Sequence, residues 1–144
     1  DDRMKSRRTA SFGEAYNYSQ IKYPFRAFPD ELLKVLLLVK EHLGFEPNNC
    51  LINYYPDGKS TMGWHSDQMD ILEGDSGVAI ISLGAARDLR FREINNKENR
   101  ISYNLPSGSL IYMNSAVQEK WHHSIPKSPT DQSRMSLTFR RLIS

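Results

Sequence analysis

Arg134-Met135-Ser136-Leu137-Thr138-Phe139-Arg140 alternates polar and apolar residues at every step. Side chains leave a β-strand to opposite faces with a period of two. The stretch therefore predicts a strand with Arg134, Ser136, Thr138 and Arg140 on one face and Met135, Leu137 and Phe139 on the other. The apolar face belongs against a core. Two arginines turned inward on the polar face would be costly to bury without partners. A dicarboxylate would resolve that cost, because a guanidinium fork matches a carboxylate with two hydrogen bonds. The bland alternative is a strand edge, where arginines reach water harmlessly.

Further strand patterns lie upstream. Leu51 to Tyr55 ends at the turn Pro56-Asp57-Gly58, and Val78 to Leu83 is closed by Gly84. Leu89 to Arg92 and Ile101 to Leu105 flank Asn95-Asn96 as a hairpin, and Ser109 to Met113 follows Pro106-Ser107-Gly108. The last strand is read from Arg134 to Leu142. One helix stands before them: Asp30 is the expected N-cap, Leu32, Leu33, Val35, Leu36, Val39 and Leu43 recur at helical spacing, and Gly44 stops it. Its broad apolar face should cover a sheet. Residues up to 29 read as irregular, with Phe12, Tyr16, Tyr18, Tyr23, Phe25 and Phe28 among polar neighbours. These elements predict a mainly β fold with a flanking helix (α+β), two packed antiparallel sheets forming a sandwich or jelly roll. An open α/β sheet is disfavoured because helices do not alternate with the strands.

At 144 residues the chain is expected to be one domain. Its 39% hydrophobic and 25% charged residues are ordinary for a globular protein. No apolar run approaches the roughly 18 to 20 residues that span a bilayer, and no signal peptide is visible, so an intracellular, membrane-independent monomer is expected. Starting at Asp1 rather than Met points to a missing upstream segment. The single cysteine, Cys50, excludes an internal disulfide, fits a reducing compartment and reads as a buried structural thiol. A net charge of +2 does not by itself indicate nucleic-acid binding. Basic residues do cluster at Arg3 to Arg8 and around Arg87, Arg90 and Arg92, and such clusters either follow a phosphate backbone or sit as solvated surface.

His65 and Asp67 are two apart, so in an extended segment both leave the same face and reach one ion. A third ligand would come from the adjacent pair His122 and His123, of which only one can face the site. Two imidazoles and a carboxylate with open positions suit a non-haem Fe(II) oxygenase. Zinc is the rival metal and hydrolysis the rival chemistry. His42, near the helix end, reads as structural, where a cation suits the dipole.

Taken together, Asn53-Tyr54-Tyr55, Gly63-Trp64-His65-Ser66-Asp67, Ser82 to Asp88, Pro106 to Leu110, Trp121 to Pro126 and Arg134 to Arg140 resemble the AlkB family of Fe(II)- and 2-oxoglutarate-dependent dioxygenases. The match covers about Leu51 to Leu142. Arg8 to Gly13 also resembles a segment of the DNA-repair branch. The resemblance implies a double-stranded β-helix (jelly roll) core over residues 49–143, a supporting helix at 30–43 and a partial substrate lid within 1–29. It implies His65, Asp67 and His123 as iron ligands; His123 is preferred because it precedes a small and an apolar residue. Arg134 would lie by the 2-oxoglutarate carboxylate near iron and Arg140 by the distal one, with Asn53 and Tyr55 hydrogen-bonding the cosubstrate. Ser136 stands where many members have Asn. With O2, such a site oxidises N-methyl groups of nucleobases in DNA or RNA and releases formaldehyde, the base having left the stack. Gln68, Met69 and Asp70 would border the base, although Met69 replaces an acidic residue of some repair enzymes. Two other functions stay open: oxygenation of a protein or small molecule, and a non-catalytic nucleic-acid-binding module.

Overall fold

The computed structural model describes residues 8–18 and 21–143, so most of the basic run, residues 3–7, lies outside the described residues. The elements run β1 (Arg8–Gly13), β2 (Tyr16–Tyr18), β3 (Ile21–Tyr23), α1 (Asp30–Leu43), β4 (Asn49–Tyr55), β5 (Met62–His65), β6 (Val78–Gly84), β7 (Arg87–Glu93), β8 (Arg100–Leu105), β9 (Leu110–Met113), α2 (Ser115–Lys120), β10 (Trp121–Ile125) and β11 (Arg134–Arg140). They form a five-stranded sheet in the order β1-β4-β11-β6-β9 and a four-stranded sheet in the order β5-β10-β7-β8, with β2 and β3 as a separate ribbon. From β4 onward the chain crosses repeatedly between the two large sheets, and every pairing is antiparallel. This is the expected jelly roll.

β11 is bonded on both sides, to β4 and to β6, and both of its faces are covered. On the outer face Leu137 and Phe139 join Cys50 and Ala79 beneath Leu32, Leu36 and Val39 of α1. The helix buries only that narrow stripe; Leu33, expected on the covered face, is 40% exposed. Between the sheets, Tyr55, Val78, Leu89, Phe91, Met113 and Ile125 form the second core. Cys50 lies fully buried on the helix side, and burial pushes its thiol up to about 12, so it stays protonated as a structural thiol should.

Several boundaries differ from the sequence reading. Asp30 is not the cap: Pro29 holds that position without a side-chain bond, and Asp30 begins the first turn, where its charge suits the dipole. Gly44 ends the helix as expected, in the left-handed conformation with its N–H on Lys40 O. The first segment is less irregular than its composition suggests, because β1 pairs with β4 along its whole length. β11 stops at Arg140, and Leu142 makes only an isolated bridge to Leu72. The six-residue α2 was not foreseen; it is capped by Asn114, whose side chain accepts from Val117 N at 3.0 Å. Gly84 sits at φ 92°, and a Cβ there would lie 2.5 Å from Ser133 O, so the tight exit from β6 requires glycine.

Removing the Phe139 ring should leave a cavity between α1 and the sheet. Phe139→Ala is expected to lower the unfolding free energy by about 3–5 kcal/mol, read from urea denaturation.

Candidate metal and carboxylate site

β5 and β10 are neighbours in the smaller sheet, and their register places His65 directly opposite His123, with ring centroids 4.3 Å apart. β5 ends at His65, so Asp67 is not its strand-mate as the spacing suggested; it lies two residues beyond the strand. Gln118 of α2 holds it there. The Asp67 N–H donates to Gln118 Oε1 at 2.9 Å, and Gln118 Nε2 donates to Asp67 Oδ2 at 3.3 Å. Ser66 Oγ donates to Trp121 O at 2.9 Å and pins the same turn to β10.

The other carboxylate oxygen faces both imidazoles. Asp67 Oδ1 lies 3.6 Å from His65 Nε2 and 3.9 Å from His123 Nε2, and one ligand atom from each residue falls within 4.8 Å of the others. His65 Nδ1 is 2.8 Å from Gly63 O. A carbonyl only accepts, so the proton is on Nδ1 and the Nε2 lone pair is left for a metal. Burial above all holds His123 down, to about 4, so this imidazole is neutral at pH 7. For Asp67, burial alone would raise the carboxyl, but Arg140 and the two imidazoles together hold it well below the usual carboxylate range. The neutral His123 imidazole, the ionised Asp67 carboxylate and His65 Nε2, which faces that carboxylate, make a ready ligand set. His122 points away, beside Arg92 on the opposite face of the sheet, which leaves His123 as the only one of the pair in the cluster.

All the cosubstrate residues anticipated from the sequence line the same cavity of about 390 Å³: Asn53, Tyr55, Arg134, Ser136 and Arg140, together with the three cluster residues. The polar face of β11 is its floor. Arg140 is 4% and Arg134 2% exposed. Their order is the reverse of the one expected. Arg140 Nη2 lies 3.6 Å from Asp67 Oδ1, at the cluster, whereas Arg134 stands at the other end of the strand, donating to Ser82 Oγ at 2.8 Å with its Cζ 5.2 Å from the Tyr55 ring centre. Alternation shows that the arginines share a face but not which end meets the neighbouring sheet. Asn53 faces Ser136 across the β4–β11 register and accepts from Thr9 Oγ1 at 2.9 Å.

Thr9, Ser82 and Gln118 are site residues that the sequence reading missed. Thr9 had a signal in the segment resembling the repair branch, whereas Gln118 sits in a helix too short for periodicity to show. Arg87, grouped with the surface cluster, is 1% exposed instead; its guanidinium donates to Ser60 O, Pro126 O and Asp57 O at 2.9, 2.7 and 3.3 Å. It ties loops together rather than meeting a partner.

A jelly roll carrying two imidazoles, a carboxylate and two inward arginines in one cavity defines a class. The profile described as the 2OG-Fe(II) oxygenase superfamily matches residues 2–140, and the chain belongs to that family. Among curated proteins it is similar to alkB homolog 3, an alpha-ketoglutarate-dependent dioxygenase of Rattus norvegicus, at 32% identity over 93% of this chain and 49% of the relative. It is also similar to the DNA oxidative demethylase ALKBH2 of Mus musculus, at 31% identity over 95% of this chain and 62% of the relative. The solved structure of OsALKBH1 shares the fold, with a TM-score of 0.67 at 17% identity over 94% of this chain and 78% of that one. The AlkB resemblance is borne out. The chain spans about half the length of its alkB homolog 3 relative.

The superfamily's cofactor set is Fe(II) with 2-oxoglutarate and O2, and the residues here fit it. The ligand atoms converge, and on Arg140 both Nε and Nη1 are buried without a hydrogen-bond partner among the described residues, as is Arg134 Nε. Unpaired guanidinium donors in a cavity are what a dicarboxylate would satisfy.

Two outcomes follow for this site. Gln118→Leu removes both bonds to Asp67, and we expect metal affinity to fall about 10- to 100-fold, read by Co(II) titration, with the circular dichroism spectrum unchanged. In chelator-treated protein, the unfolded chain takes a proton on histidine near pH 6.5 that buried His123 refuses until about 4. Stability contributed by the neutral form is therefore full above 6.5 and is lost as pH falls toward 4. His123→Asn should flatten that slope in urea titrations.

Proposed function

We propose that this protein is an Fe(II)- and 2-oxoglutarate-dependent oxidative demethylase of N-methylated nucleobases in DNA or RNA. The observation that carries the reading is the convergence of His65, Asp67 and His123 beside the unpaired buried donors of Arg140 in one cavity. In this reading the three residues hold iron, Arg140 meets the cosubstrate at the metal end, and Arg134 meets it at the other, with Asn53, Tyr55 and Ser136 on the wall between. When bound, iron, 2-oxoglutarate and O2 supply the oxidation of an N-methyl C–H bond, after which the hydroxymethyl group leaves as formaldehyde and the base is restored.

The chain's own residues do the rest. Arg140 keeps Asp67 ionised, so metal binding need not expel a proton from the carboxyl. Gln118 orients that carboxylate, and Gly63 O fixes the His65 tautomer. The apolar lining from Leu89, Leu105 and Ile125 excludes water and strengthens the charged contacts inside. We assign the β2–β3 ribbon within residues 1–29 as part of a substrate lid. Tyr16 and Tyr23 support this: both line the cavity, and Arg140 Cζ lies 4.9 Å from the Tyr16 ring centre. The similarity to ALKBH2, whose name specifies oxidative demethylation of DNA, favours a nucleic-acid substrate. Among the described residues no helix is long and apolar enough to cross a membrane.

The test is a panel of methylated DNA and RNA oligonucleotides with Fe(II), 2-oxoglutarate and O2. A loss of the methyl mass with stoichiometric formaldehyde and succinate is expected. Cosubstrate decarboxylation without any demethylation would move the substrate to a protein or small molecule. Asp67→Ala should lower turnover by orders of magnitude with the fold retained; unchanged turnover would remove the metal assignment.

A further inference from the structure

The outer face of the smaller sheet, away from the cavity, is basic. On β7 the inward residues are Arg87, Leu89 and Phe91, so Arg90 and Arg92 point outward. The sequence cluster around Arg87 is thus divided by the pleat. β8 restores the charge: Arg100 is the direct cross-strand partner of Arg92. Like charges directly opposite each other destabilise a sheet. Among the described residues, none of Arg90, Arg92 and Arg100 has a carboxylate within ion-pair distance.

One indole organises the pair. Arg92 Cζ lies 4.4 Å and Arg100 Cζ 5.8 Å from the Trp64 ring centre, while Arg100 Nε donates to Lys97 O at 3.1 Å. Stacking fixes the guanidinium planes and leaves N–H edges for a ligand. Of the acidic residues of β7, Asp88, on the same outward face, accepts from Asn104 at 3.0 Å and Glu93 accepts from Asn99 at 3.3 Å, and neither forms an ion pair with these arginines. Arg90, Arg100 and Lys127 border an open groove of about 270 Å³ floored by Thr61 and Ser124. Met62, Gly63, Trp64 and Ile125 border both this groove and the cavity, so a ligand in the groove lies next to the segment that ends at His65.

We propose that the Arg90, Arg92, Arg100 and Trp64 face binds the phosphate backbone of the nucleic-acid strand whose base enters the adjacent cavity. This rests on the functional reading above and adds a surface to it. Uncompensated, pre-stacked arginines suit phosphate, which accepts paired hydrogen bonds and supplies the missing negative charge.

The experiment is fluorescence anisotropy with a labelled single-stranded DNA oligonucleotide over a series of salt concentrations. Arg90→Ala/Arg100→Ala should weaken binding about tenfold or more and make the log–log salt slope shallower by about 1.4, at about 0.7 per lost phosphate contact. Arg90→Lys/Arg100→Lys should keep most of the slope. Lys34→Ala/Lys40→Ala removes equal charge from α1, on the opposite side of the molecule, and should change neither. Equal losses in the two alanine pairs, or no loss in the arginine pair, overturn the proposal. Wild-type demethylation of an oligonucleotide that the arginine pair still binds normally overturns the surface alone; a wild type that binds no oligonucleotide overturns both.

Discussion

Two guanidinium groups sealed inside a β-sandwich set the terms for the rest of this molecule. Arg134 and Arg140 lie on the inward face of a strand bonded on both sides, so neither can swing out to water. Each must find anionic or hydrogen-bonding partners within the cavity. Ser82 and Tyr55 meet part of that need for Arg134, and Asp67 meets part of it for Arg140. The remainder is open donor capacity aimed into a space of substrate size. The same constraint conditions the His65–Asp67–His123 cluster, because Arg140, whose charge lacks a full partner, is the strongest of the influences that keep Asp67 ionised beside two imidazoles.

Much of this was legible in the chain because β-strands expose their logic at a period of two. The alternation of Arg134 to Arg140 assigned each residue to the correct face, and the spacing of Leu32, Leu36 and Val39 placed the covering helix. What alternation lacks is polarity in space. It does not say which end of β11 approaches β5; the resemblance placed Arg134 at the metal end, whereas Arg140 is the arginine that lies beside Asp67. Nor does composition separate Arg87 from Arg90: they look alike in sequence, yet three odd-numbered residues of β7 turn inward and carry Arg87 into the interior. Gln118 was invisible for a different reason. Its helix is six residues long, too short for a periodic signal, and its partner is 51 residues away.

The site is thus assembled from both sheets and from the connections between them. The smaller sheet supplies the imidazoles, a turn and a short helix supply the carboxylate and its clamp, and the larger sheet supplies the arginine floor. A jelly roll suits this division because its strands alternate between layers, so residues far apart in sequence face one cavity. The AlkB relatives are about a third identical to this chain, and the structure shows how this chain's dispersed polar residues become neighbours.

Thr9 brings a consequence of its own. It belongs to β1, an edge strand whose only strand partner among the described residues is β4, whereas the cavity floor belongs to β11, bonded on both sides. Wall and floor therefore differ in local stability. Edge strands open more readily than strands paired on both sides, so the rim carrying Thr9, and β5 with His65 at the edge of the smaller sheet, can loosen while the arginine floor holds its geometry. The cavity is a firm seat with a yielding side.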